Sequence, residues 1–321
     1  MIGRLAARLW DSPWPVLAAA NLLWAGNIVL ARGIAGLVPP VALAYWRWTG
    51  AFLVSLPFAW PHLRRDAATL RARWRIMLVL AATGIATYNT MSYIALAHTS
   101  ALDVLLLQSA QPVIILLWAA GLYRERPGPR QALGVAVSLA GVLVIAARGS
   151  LAALAGLRLG AGDLWVLGGL TVYGLYCVQL RHRPPVHPLS FLSCAMGIGS
   201  CLILPFYLGE YATGARIVAG AESWAAMGYM MVFPSFVAYL LINRGIELIG
   251  AGRAGQSMHL MPLFGAILAV LFLGERFRAY HAAGIGLIGA GILLASWRAG
   301  AAPAGRPVAA GVRVDPPVSP E

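Results

Sequence analysis

Lysine is absent from the 321 residues: the 24 basic side chains are all arginine. Charge of either sign is scarce. Only 11% of residues are charged, against roughly 25% in globular domains. The three cysteines, Cys177, Cys194 and Cys201, fall inside apolar segments without metal-type spacing, so neither a disulfide framework nor a zinc site is expected. The six histidines are scattered singly; no HExxH occurs and no acidic pair faces across a helix. An enzyme buried in a membrane would need a nucleophile with its base, paired aspartates or a His-rich metal motif. With none of these present, no catalytic activity and no cofactor are expected.

What remains is overwhelmingly apolar. Hydrophobic residues make up 60% of the chain, and the mean hydropathy is +0.75. About ten runs are long enough to cross a hydrocarbon layer ~30 Å thick at 1.5 Å per residue. They are residues 13–33, 38–60, 75–97, 101–122, 128–147, 162–180, 188–208, 223–243, 252–273 and 279–297. The first carries Asn21, Trp24 and Asn27, which a cleavable signal peptide would avoid, so it is read as a retained helix. The expected fold is an all-α integral membrane protein with ten transmembrane helices.

The net charge of +13 does not indicate nucleic acid, because the arginines sit in short clusters between apolar runs. They serve orientation instead. Arg64, Arg65, Arg71, Arg73 and Arg75 crowd one gap, and Arg124, Arg126 and Arg130 another, on the side of the N-terminus. The alternate gaps hold only Arg32, Arg148, Arg158, Arg216, Arg276 and Arg278. Both termini are therefore expected in the cytoplasm, with residues 1–12 a short cytoplasmic segment. Residues 298–321, rich in Pro, Ala and Gly, are expected to be a disordered cytoplasmic tail.

An internal repeat organises the chain. Pro112 and Pro262 are separated by 150 residues, as are Glu125 and Glu275, Arg126 and Arg276, Gly134 and Gly284, Ala140 and Ala290, and Gly141 and Gly291. Upstream, LLWAGNIVLAR (22–32) aligns with TVYGLYCVQLR (171–181) at an offset of 149. Two five-helix repeats result, 13–147 and 162–297. Because each has an odd number of spans, the second enters the membrane from the opposite side. Inverted repeats are typical of secondary transporters, whose substrate site lies near the midplane and is formed by interrupted helices.

Candidate site residues follow from that frame. Pro112 and Pro262 each remove a backbone donor and loosen the preceding turn, or simply kink the helix. Gln108, Gln111, Gln256 and His259 lie just before them and are candidates to line a cavity. Tyr88, Asn89 and Tyr93 mark the third span, and Ser235, Tyr239 and Asn243 share one face of the eighth. Tyr173 and Tyr176 mark the sixth span, and Trp24 and Asn27 the first. Such a polar and aromatic lining suits an amphipathic or zwitterionic solute; the alternative for the aromatics is an interfacial belt. Arg47 is the sharpest feature, because a charge inside a span costs about 2.5–3.5 kcal/mol on insertion scales. It is read either as a substrate-carboxylate contact or as a buried structural or gating post. Glu125 and Glu275 are expected to form interfacial ion pairs, and Gly134 with Ser138, and Gly286 with Ala290, to form small-residue helix contacts. Asp103, Asp163 and Glu247 lie near helix ends, leaving His259 as the only titrating group within a span.

WAGN in the first helix, Arg47, ALAHTSA (95–101), the Pro…GlyLeuTyrArgGlu pattern and its partner MPLFGAILAVLFLGERF together resemble the EamA family of drug/metabolite transporters, over nearly all of residues 13–297. The bacterial aromatic amino acid exporters look closest in size and layout. The resemblance implies a ten-helix, two-repeat carrier of the bacterial inner membrane that exports small metabolites, often amino acids, by alternating access. The alternative is a proton-coupled exporter of drugs or quaternary ammonium cations. The expected partners are a small amino-acid-like solute and the lipid bilayer; a monomer suffices, and the sequence does not set the oligomeric state.

Overall fold

The computed structural model describes residues 10–124, 128–150, 160–249 and 257–296. Glu125, Arg126, Gln256, the first nine residues and the segment 298–321 lie outside the described residues, as does the side chain of His259. Among the described residues the chain forms ten helices and no strand. In order they are α1 (Pro13–Gly33), α2 (Pro40–Ala72), α3 (74–98), α4 (Ala101–Tyr123), α5 (Pro129–Ala146), α6 (Ala161–His182), α7 (Pro188–Ala212), α8 (Ala221–Ile249), α9 (Leu260–Leu273) and α10 (Ala279–Ser296). Helices α1, α4, α6, α7 and α8 are long and apolar enough to cross a membrane by length and composition. The outer surface is apolar too: Phe206 on α7 and Leu271 and Phe272 on α9 are at least 70% exposed, an exposure that suits a lipid surround.

Proline starts α1, α2, α5 and α7, where its fixed φ suits the first turn and its missing N–H has no intrahelical partner to lose. Helix α2 is much longer than the apolar run from which it was expected. It continues through Pro57 and Pro61 to Ala72, carrying Arg64, Arg65 and Arg71 beyond the apolar stretch. The repeat is visible in the breaks as well as the sequence. α3 contains a π-helical stretch at Ala81–Thr87, and α8 one at Phe233–Val237. A 3-10 turn at Gln108–Ala110 precedes Pro112, and one at Ser257–His259 precedes Pro262. Arg124 and Gly274, again 150 apart, both leave their helices with positive φ, 54° and 64°.

The helices of the two repeats interleave. α2 and α7 run antiparallel in one continuous register. His62 stacks on His187 at 3.6 Å, Ser55 donates to Ser193 at 3.0 Å, and Tyr45 stacks on Tyr207 at 4.7 Å. At the far end the Glu210 carboxylate accepts from the backbone N–H groups of Val41 and Ala42 at 3.0 and 2.7 Å. α5 and α10 pack backbone to backbone: a methyl on Gly141 would lie 2.6 Å from the Gly284 carbonyl oxygen, and Ser138 donates to the Ile288 carbonyl at 3.1 Å. The expected Gly286 contact is not made; nothing lies within 4 Å of a methyl placed there, and Gly284 occupies the seam instead.

Glu275 corrects a second expectation. Its carboxylate forms no ion pair among the described residues. It caps α4, accepting from Ala101 N and Leu102 N at 2.8 Å each. A carboxylate at a helix start satisfies otherwise unpaired N–H groups and complements the helix dipole. Glu275→Ala should therefore lower stability by about 1–2 kcal/mol, read as a lower unfolding midpoint in detergent.

Candidate functional site

The centre of the molecule is built on Arg47, about two turns into α2. The side chain is 4% exposed. Its Nε donates to Ser235 Oγ at 2.7 Å, and one terminal nitrogen, Nη1, donates to Asn89 Oδ1 at 3.0 Å and Tyr93 Oη at 2.6 Å. Tyr93 in turn donates to Asn27 Oδ1 at 3.1 Å. One cation thus joins α1, α2, α3 and α8.

The partners of Arg47 have a second task. Pro234 has no N–H, so the Met230 carbonyl lacks its usual donor; Ser235 Oγ supplies one at 2.8 Å. In α3, Asn89 Nδ2 donates to the carbonyls of Gly84 and Ile85, both at 3.1 Å. Each π-helical stretch therefore has freed carbonyls held by a side chain, and those two side chains are the ones Arg47 grips. π-Helical turns occur often at functional sites.

An aromatic wall adjoins this cluster. Tyr88 packs on Tyr173 with ring centroids 4.4 Å apart, and Tyr173 on Tyr176 at 5.3 Å. Trp24 meets Tyr239 edge-on at 5.6 Å and donates to the Pro234 carbonyl at 3.0 Å. Tyr239 lies within electrostatic reach of Tyr88, Tyr173, Tyr176 and Arg47. Gln108 donates to the Tyr88 hydroxyl at 3.2 Å. The centre thus draws on both repeats, with α1, α2, α3 and α4 from the first and α6 and α8 from the second.

Of the residues singled out from the sequence, Trp24, Asn27, Arg47, Tyr88, Asn89, Tyr93, Gln108, Tyr173, Tyr176, Ser235 and Tyr239 come together here. Gln111 instead ties α4 to α6 through the Leu170 carbonyl at 3.3 Å. Asn243 makes no side-chain hydrogen bond among the described residues. Pro112 is exposed and Pro262 half-buried, so the Pro112 ring itself does not line the centre. Trp48 was missed: it reads as one more interfacial tryptophan, yet it is 1% exposed and its Nε1 has no acceptor.

Asp103 and Asp163 lie in the first turns of α4 and α6, near helix ends as expected, and His281 in the first turn of α10. Asp103, Asp163 and His281 are 5%, 2% and 2% exposed. Thr99 Oγ1 lies 3.4 Å from Asp103 Oδ2 and 3.2 Å from Asp163 Oδ1. His281 Nδ1 accepts from Arg278 N, so the proton sits on Nε2, which donates to Asp103 Oδ1 at 3.1 Å. Nearness to a helix start did not mean exposure, because α3, α4, α6 and α10 close over these groups.

Two repeats of membrane helices around a shared polar and aromatic centre define a membrane carrier. The chain matches the EamA-like transporter family over residues 14–147 and 160–297, and it belongs to that family. Among similar proteins is the uncharacterized transporter YyaM of Bacillus subtilis (strain 168), 27% identical over 284 residues, covering 88% of this chain and 92% of that one. Another is a probable terminal-alkyne amino-acid exporter of Streptantibioticus cattleyicolor, 27% identical over 210 residues, covering 64% of this chain and 67% of that one. A solved crystal structure shares the fold with a TM-score of 0.57 at 21% identity, over 89% of this chain and 96% of that one. The protein is thus a multi-pass membrane transporter of small molecules.

Proposed function

We propose that this transporter exports small amino-acid-like metabolites across the bacterial inner membrane by alternating access, with the centre between its two repeats as the substrate site. The carrying observation is the combination of one buried cation with an aromatic wall of Tyr88, Tyr173, Tyr176, Tyr239 and Trp24. Amides, hydroxyls and the guanidinium replace water at the charged end of a zwitterion, while the rings bury its apolar body. The Streptantibioticus relative, a probable terminal-alkyne amino-acid exporter, supports the substrate class. Arginine distribution supports cytoplasmic termini, with repeats at 13–147 and 162–297 between a short leading segment and the tail 298–321.

The test is uptake of labelled amino acids into proteoliposomes, with and without a pH gradient, beside a quaternary ammonium cation. Saturable amino acid flux is expected. Tyr173→Ala should reduce it by about tenfold, the equivalent of ~1.4 kcal/mol, while Tyr173→Phe should retain most of it. Flux of the cation alone would replace this reading with that of a drug exporter.

A further inference from the structure

Arg47 is a buried cation whose partners are all neutral. Ser235, Asn89 and Tyr93 supply hydroxyl and amide oxygens, and no carboxylate among the described residues pairs with it. Its second terminal nitrogen, Nη2, makes no hydrogen bond among the described residues. Beside it, Trp48 Nε1 is buried without an acceptor, and the guanidinium carbon lies 4.4 Å from the centroid of that indole ring. A positive charge, a terminal guanidinium nitrogen that makes no hydrogen bond among the described residues, and a buried indole N–H without an acceptor thus lie side by side. Buried polar groups are as a rule paired, and buried charges compensated; two such donors around one charge describe the complement of an anion.

We propose that Arg47 and Trp48 form a carboxylate subsite, with Arg47 Nη2 donating to one carboxylate oxygen of the transported solute and Trp48 Nε1 to the other. This rests on the transporter reading above and deepens it: the carboxylate, rather than the amine, is the group the centre selects. Guanidinium is suited to this task because its planar donors match the spread of carboxylate oxygens. Tyr93, which accepts from Arg47, also lines a small hollow between α1, α2 and α3 with Ala31, Val38 and Leu43. The neutral partners then have a clear purpose: they hold the guanidinium in place without quenching the charge that the solute must meet.

The test separates carboxylate from amine on one aromatic body. Phenylacetate, phenylacetamide, phenethylamine and phenylalanine are titrated against the purified full-length protein in lipid nanodiscs, with binding followed by calorimetry and by the shift of the unfolding midpoint. Phenylacetate is expected to bind about tenfold more tightly than its amide, as fits hydrogen bonds to a charged group, and phenethylamine not at all. Trp48→Phe removes the donor together with the five-membered ring; it should bring the acid-to-amide ratio down to about threefold, and that ratio is the readout, because the lost buried volume by itself lowers the unliganded unfolding midpoint. Equal binding of acid and amide, binding of no carboxylate in the panel, an unchanged ratio in Trp48→Phe, or chloride stabilising as strongly as phenylacetate would each overturn the subsite. If phenylacetate binds with the expected preference but no amino acid is transported, the subsite stands and the amino-acid reading falls.

Discussion

Replacing Arg47 with methionine is expected to destabilise the protein by roughly 2–5 kcal/mol and to abolish transport. The argument sets two opposed effects against each other. Methionine relieves the penalty of a charge inside a span, about 2.5–3.5 kcal/mol. It also deletes three hydrogen bonds from a charged donor, each contributing about 1.5–3 kcal/mol, and strands Asn89, Tyr93 and Ser235 in the interior. The second effect is the larger. Loss of Arg47 also frees the two side chains that hold the π-helical stretches of α3 and α8, so the damage reaches both repeats. Arg47→Lys keeps the charge but cannot reach Ser235 on one side and Asn89 with Tyr93 on the other, because the ammonium is a single point on a flexible stem. It should fail in the same direction. Unfolding midpoints in detergent and flux in proteoliposomes read the two consequences separately; a lysine variant with full stability and full flux would refute the bridging role.

The second large effect is expected at the α5–α10 seam. Gly141→Leu would drive a side chain into the Gly284 carbonyl, which already lies 2.6 Å from the position of a Cβ. Even alanine there should destabilise, by about 1–3 kcal/mol of overpacking, despite the gain of up to ~1 kcal/mol that alanine brings to a helix interior. Leucine should do worse and lower the yield of folded protein. Gly286→Ala is the matched control: it sits on α10 with open space around it, so the propensity gain is unopposed and stability should hold or rise slightly. Thermal unfolding of the three variants side by side decides the matter. Equal effects at 141 and 286 would mean that the close approach is not what glycine supplies.

Much of the fold was legible because membrane physics leaves few options: ten apolar runs and two prolines at one spacing. The paired breaks were legible only in part. Pro112 and Pro262 announced their 3-10 turns, but the π-helical stretch of α3 contains no proline and showed nothing in the sequence until Asn89 was found donating five and four residues back. The candidate centre was readable from polar residues in apolar runs, since such residues must find partners. Trp48 escaped because an indole in a membrane helix ordinarily sits at an interface, whereas here it is 1% exposed inside the helix bundle. Glu210 and Glu275 escaped for a related reason: a carboxylate at a helix end reads as an ion pair until its backbone partners, more than 160 residues away, are known.

Those two glutamates carry a mechanical consequence. Glu210 belongs to the second repeat and clasps the start of α2 in the first; Glu275 belongs to the second and clasps the start of α4 in the first. Together with the α2–α7 and α5–α10 pairs, they bind staves of different ancestry into shared units. On the proposed alternating-access reading, the pieces expected to move together are mixed pairs drawn from both halves of the chain, rather than one repeat against the other.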